Sequence, residues 1–220
     1  MKAWIEDDNI NYEYIIRYIR DTIPSSSGHI KEMEEYAAAN DVPISQPESI
    51  RMIEILLKLC RAEEILEVGC AIGYSAIRMS RACGAKVTTV ELSDDMADMA
   101  QKNIEKAGLS DKIKIIRGDA KEVLRQIEGE EKYDAIFVDA AKGQYMEFFP
   151  HCMRLLKKGG LLISDNILYK GMTATDELVV RRKITIVRRL RAYLDMLKNN
   201  NELSTAIIPI GDGVALSFKE

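Results

Sequence analysis

From residue 64 onward, five short apolar runs alternate with stretches of helical periodicity. The runs are Ile65-Leu66-Glu67-Val68, Val87-Thr88-Thr89-Val90, Ile113-Lys114-Ile115-Ile116, Ala135-Ile136-Phe137-Val138 and Leu161-Leu162-Ile163. Helical spacing occupies the pieces near 75–83, 94–107, 119–127, 144–157 and 177–198. Strands that are apolar at consecutive positions must be covered on both faces, the condition of parallel strands joined by crossover helices. Two last strand-like segments, 206–210 and 214–218, are separated by Gly211-Asp212-Gly213 alone, short enough for an antiparallel pair. The pattern predicts an α/β fold: a doubly wound, mostly parallel, seven-stranded sheet with an antiparallel C-terminal strand. Ligands are then expected beyond the carboxyl ends of the strands.

Ahead of this region the first 60 residues read as a helical extension. Ile10, Tyr14, Ile15, Tyr18 and Ile19 recur at helical spacing, a second helix fits 29–39, and a third begins near Pro47-Glu48. With 220 residues and no internal repeat, a single domain is expected, 1–60 forming the extension and 61–220 the α/β core. A net charge of −4 excludes a uniformly basic nucleic-acid binder but not a local basic patch. Cys60, Cys70, Cys83 and Cys152 form no C-x-x-C, and His29 and His151 are the only histidines, so a structural zinc site is not expected. No long apolar stretch or apolar leader appears, which points to a cytoplasmic protein with reduced thiols and no membrane partner.

The end of the first strand carries Glu67-Val68-Gly69-Cys70-Ala71-Ile72-Gly73-Tyr74-Ser75. Gly69 and Gly73 permit a tight turn and a close backbone approach to a ligand. Glu91 ends the next strand, 22 residues after Gly69, where a carboxylate can accept from ribose hydroxyls. Asp119-Ala120 follows the third strand, within reach of an adenine edge. A dinucleotide fingerprint would need glycine at position 71, and Ala71 breaks it; no G-x-x-x-x-G-K is present either. Glu67 adds negative charge beside the turn, which disfavours a pyrophosphate and suits the cationic amino-acid end of S-adenosylmethionine. A plain glycine turn in an ordinary α/β fold is the alternative.

The fourth and fifth strands end in Asp139-Ala140-Ala141-Lys142 and Ser164-Asp165-Asn166. Parallel neighbours would bring Asp139, Asp165 and Asn166 together. Oxygen donors without His or Cys make a hard, incomplete site for Mg2+, Mn2+ or Ca2+. A helix cap or turn at Asp165-Asn166 is the competing reading.

Taken together, Glu67-Val68-Gly69 through Gly73-Tyr74-Ser75, Asp139-x-x-Lys142 and Asp165-Asn166 resemble the cation-dependent O-methyltransferases of the catechol and caffeoyl-coenzyme A type. The resemblance runs from about residue 40 to the C-terminus. It implies a Rossmann-like methyltransferase fold and S-adenosylmethionine at Ile44, Glu67, Gly69, Ser75, Glu91, Asp119, Ala120 and Asp139. It further implies Mg2+ at Asp139, Asp165 and Asn166, Lys142 beside the reacting oxygen, and a homodimer to which the N-terminal helices contribute. The text of 139–145, 164–166 and 207–213 is similar to a bacterial branch that methylates 5-hydroxyuridine at the tRNA wobble position. Plant-type members often carry a second acid at the position of Ala141 and a tryptophan at that of Tyr169.

The expected chemistry is in-line methyl transfer from a sulfonium to an oxygen whose pKa a bound metal lowers, in near-attack geometry. Lys142 then either accepts the proton or stabilises the oxyanion. A catechol and 5-hydroxyuridine both present adjacent oxygens, so the metal does not choose between them. Arg181, Arg182, Lys183, Arg188, Arg189 and Arg191 place six cations in eleven residues with no acid among them. With Ile184, Val187, Leu190, Leu194 and Leu197 on one helix face, these cations are expected either to meet tRNA phosphates or to form a solvated face. Tyr145, Phe148 and Tyr169 are candidates for stacking on a flat substrate or for core packing. tRNA is the leading acceptor on this reading and a small phenolic substrate the alternative. A non-catalytic S-adenosylmethionine-binding module is a third possibility.

Overall fold

Ile65 and Leu66 are neighbours in the chain and both wholly buried, yet they belong to separate hydrophobic clusters. Successive strand side chains point to opposite faces, so this sheet is covered on both sides. The computed structural model describes residues 10–220; the first nine residues of the expected N-terminal extension lie outside the described residues. Three helices come first: α1 (Glu13–Asp21), α2 (Gly28–Ala39) and α3 (Pro47–Leu59). Then follow β1 (Glu64–Val68), α4 (Tyr74–Cys83), β2 (Lys86–Glu91), α5 (Asp94–Lys106), β3 (Ile113–Arg117), α6 (Ala120–Gln126) and β4 (Tyr133–Val138). The last part comprises α7 (Tyr145–Leu155), β5 (Leu156–Ser164), α8 (Ile184–Lys198), β6 (Leu203–Ile208) and β7 (Val214–Lys219). Short 3-10 turns precede α7 at Lys142–Gln144 and α8 at Arg181–Lys183.

The seven strands are ordered β3-β2-β1-β4-β5-β7-β6. β1 to β5 run parallel, and β7 is antiparallel to both β5 and β6. One face packs Ile65, Val87, Ala135, Phe137 and Ile163 against Ile53 and Leu57 of α3, Ile77 of α4 and Ile104 of α5. The other packs Leu66, Val90, Ile136 and Leu162 against Leu124 of α6, Phe148 of α7 and Leu190 of α8. Each such buried aliphatic or aromatic side chain contributes about 1.5–3 kcal/mol by removal from water.

Three local expectations change. Helix was expected over 177–198, but α8 begins at Ile184. The side chain of Arg191 instead gathers the preceding loop, donating to Met172 O (3.1 Å), Thr173 O (3.0 Å) and the Asp176 carboxylate (2.6 Å). Helix was expected through 157, yet α7 stops at Leu155 and β5 starts at Leu156, with Gly159 at φ 76°. The apolar residues at 14, 15, 18 and 19 do not form a buried stripe. Ile16 is the buried residue of α1, while Tyr14, Tyr18 and Ile19 are exposed. α1 is instead tied by Arg20, which donates to both carboxylate oxygens of Glu48 at 2.8 Å and to Gln46 at 3.2 Å. Among the described residues, no helix is long and apolar enough to cross a membrane.

Candidate active site

The turn after β1 is built from left-handed backbone. Gly69 has φ 100°, Ala71 45° and Gly73 83°. A Cβ on Gly69 would overlap the carbonyl oxygen of Asp139, and one on Gly73 would lie 3.3 Å from Ala100 Cβ. Ala71 therefore adopts a left-handed conformation that glycine takes more readily, at a steric cost of roughly 1–2 kcal/mol. Glu91 offsets it: its Oε2 accepts from the amides of Ala71 (2.8 Å) and Cys70 (3.1 Å). Its Oε1 accepts from Ser93 N at 2.9 Å and retains acceptor capacity for a further partner.

Ten of the eleven residues singled out from the sequence line one cleft of about 490 Å³ at the carboxyl ends of the strands. They are Ile44, Gly69, Ser75, Glu91, Asp119, Ala120, Asp139, Lys142, Asp165 and Asn166. Glu67 lies beneath the floor instead, wholly buried between β2 and β4. Its two oxygens accept from Ser75 Oγ and Thr89 Oγ1, each at 2.5 Å. Burial raises its pKa to about 7, the two hydroxyls opposing that shift. Since the Ser75 proton is directed at Glu67, the Ser75 oxygen presents lone pairs to the cleft. Asp119 caps α6, its Oδ1 accepting from Lys121 N at 2.9 Å.

At the other end of the cleft, β4 and β5 pair in register, Val138 opposite Ser164. Asp139 and Asp165 therefore leave adjacent parallel strands side by side, and Asp165 N donates to Val138 O at 3.0 Å. Asn166 has φ 55°, a left-handed conformation that asparagine tolerates better than most residues. Asp165 N-terminal to it is 2% exposed. Burial raises the pKa of both aspartates; for Asp165 the negative charge of Asp139 adds to the rise, and for Asp139 the cationic Lys142 opposes it. Two mutually repelling carboxylates, Asp165 buried and Asp139 half-buried, beside an amide oxygen are a donor set that a hard divalent cation would satisfy and that nothing else among the described residues neutralises, Lys142 apart.

Some lining residues carry no motif. Ser45 Oγ is buried without a hydrogen-bond partner, on a residue 6% exposed at the cleft wall. Gln46 lines the cleft as well, as do Tyr74 of the glycine-turn motif and Phe148 of the stacking candidates. A serine in the loop Val42-Pro43-Ile44-Ser45 gives no sequence signal; its unpaired hydroxyl becomes visible only in three dimensions. Of the proposed stacking residues, Tyr145 and Phe148 are core, each 1% exposed, and Tyr169 lies under Lys183, whose Nζ is 5.6 Å from the ring centroid.

The basic cluster divides. Arg189 donates to Gly143 O at 3.0 Å and Arg191 holds the 172–176 loop. Arg181, Arg182 and Arg188 are exposed, with no acidic partner among the described residues.

A seven-stranded sheet of this order, with a glycine turn after β1, an acid closing β2 and β7 inserted antiparallel, is a Rossmann-like methyltransferase fold. The O-methyltransferase from Bacillus cereus, solved in complex with SAH, superposes with a TM-score of 0.84 at 26% identity, over 98% of this chain and 100% of that one. A family model described as O-methyltransferase matches residues 25–220. A catechol O-methyltransferase of Niastella koreensis is 32% identical over 222 residues, spanning 96% of this chain and 99% of its own. Caffeoyl-CoA O-methyltransferase 3 of Nicotiana tabacum is 29% identical, spanning 98% and 92% respectively. The chain belongs to the O-methyltransferase family, in its catechol and caffeoyl-CoA branch.

Proposed function

We infer that this protein transfers a methyl group from S-adenosylmethionine to one of two adjacent oxygens on a small catechol-like phenol, with Mg2+ as the divalent cation. The observation that carries the reading is the continuity of the cleft. The Gly69–Ser75 turn, Glu91 and Asp119 share one cavity with Asp139, Lys142, Asp165 and Asn166. Relatives that act, by name, on catechol and caffeoyl-CoA support the acceptor class, and the SAH complex of the Bacillus cereus protein supports the donor.

The residues divide the work as follows. Ser75 Oγ, its proton committed to Glu67, accepts from the donor's ammonium group. Glu91 Oε1 accepts from a ribose hydroxyl, and Asp119-Ala120 flank the adenine. Ser45 Oγ is free to bond the bound ligand, and Ile44 supplies apolar wall. Asp139, Asp165 and Asn166 would hold the cation, which when bound lowers the pKa of the acceptor hydroxyl. Lys142, on the turn directly after β4, places its ammonium beside the developing oxyanion. Orientation by the cleft walls provides the rest of the rate enhancement.

A tRNA acceptor is the second reading, favoured by exposed Arg181, Arg182 and Arg188. Two of the six cations that suggested it, Arg189 and Arg191, are spent on backbone carbonyls. The deciding experiment offers the purified protein S-adenosylmethionine, Mg2+ and either caffeate-like diols, the matching monophenols or total tRNA. Methylation of diols and not monophenols is expected. Label incorporated into tRNA alone would replace the first reading by the second.

A further inference from the structure

Beneath the rim that carries Asp139 and Asp165 lie two tyrosines from different helices. Tyr145 opens α7, three residues after Lys142, and Tyr193 belongs to α8. Both are buried, at 1% and 2% exposure. The Tyr145 hydroxyl donates to Asp165 O at 3.0 Å and to Val138 O at 3.2 Å, one proton shared between the two strand ends. Tyr193 and Ser164 share a hydroxyl hydrogen bond of 2.6 Å, and Ser164 is wholly buried. The two rings meet edge to face, centroids 5.4 Å apart at 80°.

Each contact lands on a residue that presents a ligand or on its immediate neighbour. Val138 precedes Asp139, Ser164 precedes Asp165, and Asp165 is held by its own carbonyl. The β4–β5 ladder ends here, with Asp165 N on Val138 O. Beyond that bond β4 and β5 share no further backbone hydrogen bond; each strand end is held on its outer side instead, Asp139 N on Val68 O and Ile167 N on Gly213 O, both at 2.9 Å. Val138 O keeps a partner in Asp165 N if Tyr145 is truncated; Asp165 O accepts from no other donor among the described residues.

We propose that Tyr145, braced by Tyr193, is a positioning residue that sets the separation of Asp139 and Asp165 for cation binding. The inference rests on the reading of those aspartates as cation ligands. Metal sites tolerate ligand displacements of only about 0.2 Å, and loss of an outer partner lowers affinity by about 10–100-fold. Tyr145→Phe retains the ring, its packing on Tyr193 and the core volume. Only the proton that bridges the strand ends is removed.

The test titrates the metal-free full chain with Mn2+ calorimetrically, alongside SAH affinity and thermal melting, for the wild type, Tyr145→Phe, Tyr193→Phe and Asp165→Ala. Tyr145→Phe is expected to weaken Mn2+ binding by about tenfold or more, with SAH affinity within twofold of wild type. Tyr193→Phe, which keeps the ring contact with Tyr145 and removes only the hydroxyl bond to Ser164, is expected to weaken it by about threefold, and serves if Tyr145→Phe does not fold. Unchanged Mn2+ affinity in both tyrosine variants, with Asp165→Ala abolishing binding, overturns the positioning role and leaves the cation site standing. Wild-type protein that fails to bind Mn2+ overturns both.

Discussion

Gly69 and Asp139 are in backbone contact: a methyl group on the first would occupy the carbonyl oxygen of the second. The turn and the strand end, proposed above to face the methyl donor and a cation respectively, are therefore one packed unit. Gly69→Ala must shift one of them and also force φ 100° on a residue with a side chain. A destabilisation of about 2–3 kcal/mol is expected. SAH and Mn2+ affinities, measured calorimetrically, should fall together; loss of one with the other intact would show the two halves to be independent.

Glu67 and Ser75 provide a pH signature. Glu67 has its pKa raised by burial to about 7, against roughly 4.3 in an unfolded chain. Between those values the folded state holds more protons than the unfolded state, so stability falls as pH rises across that window. The full shift corresponds to about 4 kcal/mol, or about 8–16 °C in melting temperature for a chain of this size. Melting curves of the ligand-free protein at pH 5 and pH 8 should show that decline in the wild type. Glu67→Gln should show a smaller one, the remainder coming from Asp139 and Asp165. Equal declines would mean that Glu67 titrates normally.

The strands and their carboxyl-terminal residues were legible because parallel strands impose continuous apolar runs, and because each of Glu91, Asp119, Asp139 and Asp165 ends or directly follows one. What escaped was fixed by distant partners. Ala71 takes the left-handed turn because Glu91, twenty residues on, captures its amide. Glu67 was read as facing the ligand, but pairing of β1 with β2 sets it opposite Thr89 and under Ser75. The six-cation segment read as one surface, whereas contacts to Gly143 and to the 172–176 loop tie two of its arginines to neighbouring backbone. The order β5-β7-β6 also follows no local signal, since the hairpin alone does not say which of its strands joins the sheet.

Asp165 should be a stability liability without its cation. Burial and the charge of Asp139 raise its pKa, so the metal-free protein loses stability as pH rises and both groups ionise. Asp165→Asn removes one of the two charges. At pH 8 in EDTA this variant is expected to melt above the wild type by several degrees. Excess Mn2+ should reverse the order, because it stabilises only the intact site. Affinity for Mn2+ in the wild type should rise with pH, since binding displaces protons. Methyl transfer by the wild type should stop in EDTA and return with Mg2+.

Lys142 is held by the 3-10 turn that also offers Gly143 O to Arg189. Lys142→Met is expected to lower kcat by about 100-fold or more, in the range for loss of one electrostatic stabiliser, with SAH affinity unchanged. Lys142→Arg separates two roles. If the ammonium acts by charge, the arginine retains a large part of kcat across pH 7–9. If it removes the acceptor proton, arginine does no better than methionine, because the guanidinium does not deprotonate in that range. Single-turnover rates at saturating diol decide between them.

Arg181, Arg182 and Arg188 leave the acceptor question open to one direct measurement. All three are exposed, and reversing them changes the local charge by six units without touching Arg189 or Arg191. On a neutral diol, screening by solvent should keep the turnover of the triple glutamate variant within about twofold of wild type. A tRNA substrate would behave otherwise. Each lost phosphate contact lowers the steepness of binding against salt by about one unit, so the variant would lose affinity at low salt far more than at high salt. An unchanged kcat/KM for the diol, with no salt-dependent tRNA methylation in the wild type, is the expected outcome. Methylation of tRNA by the wild type that disappears in the variant would assign these arginines to a nucleic acid.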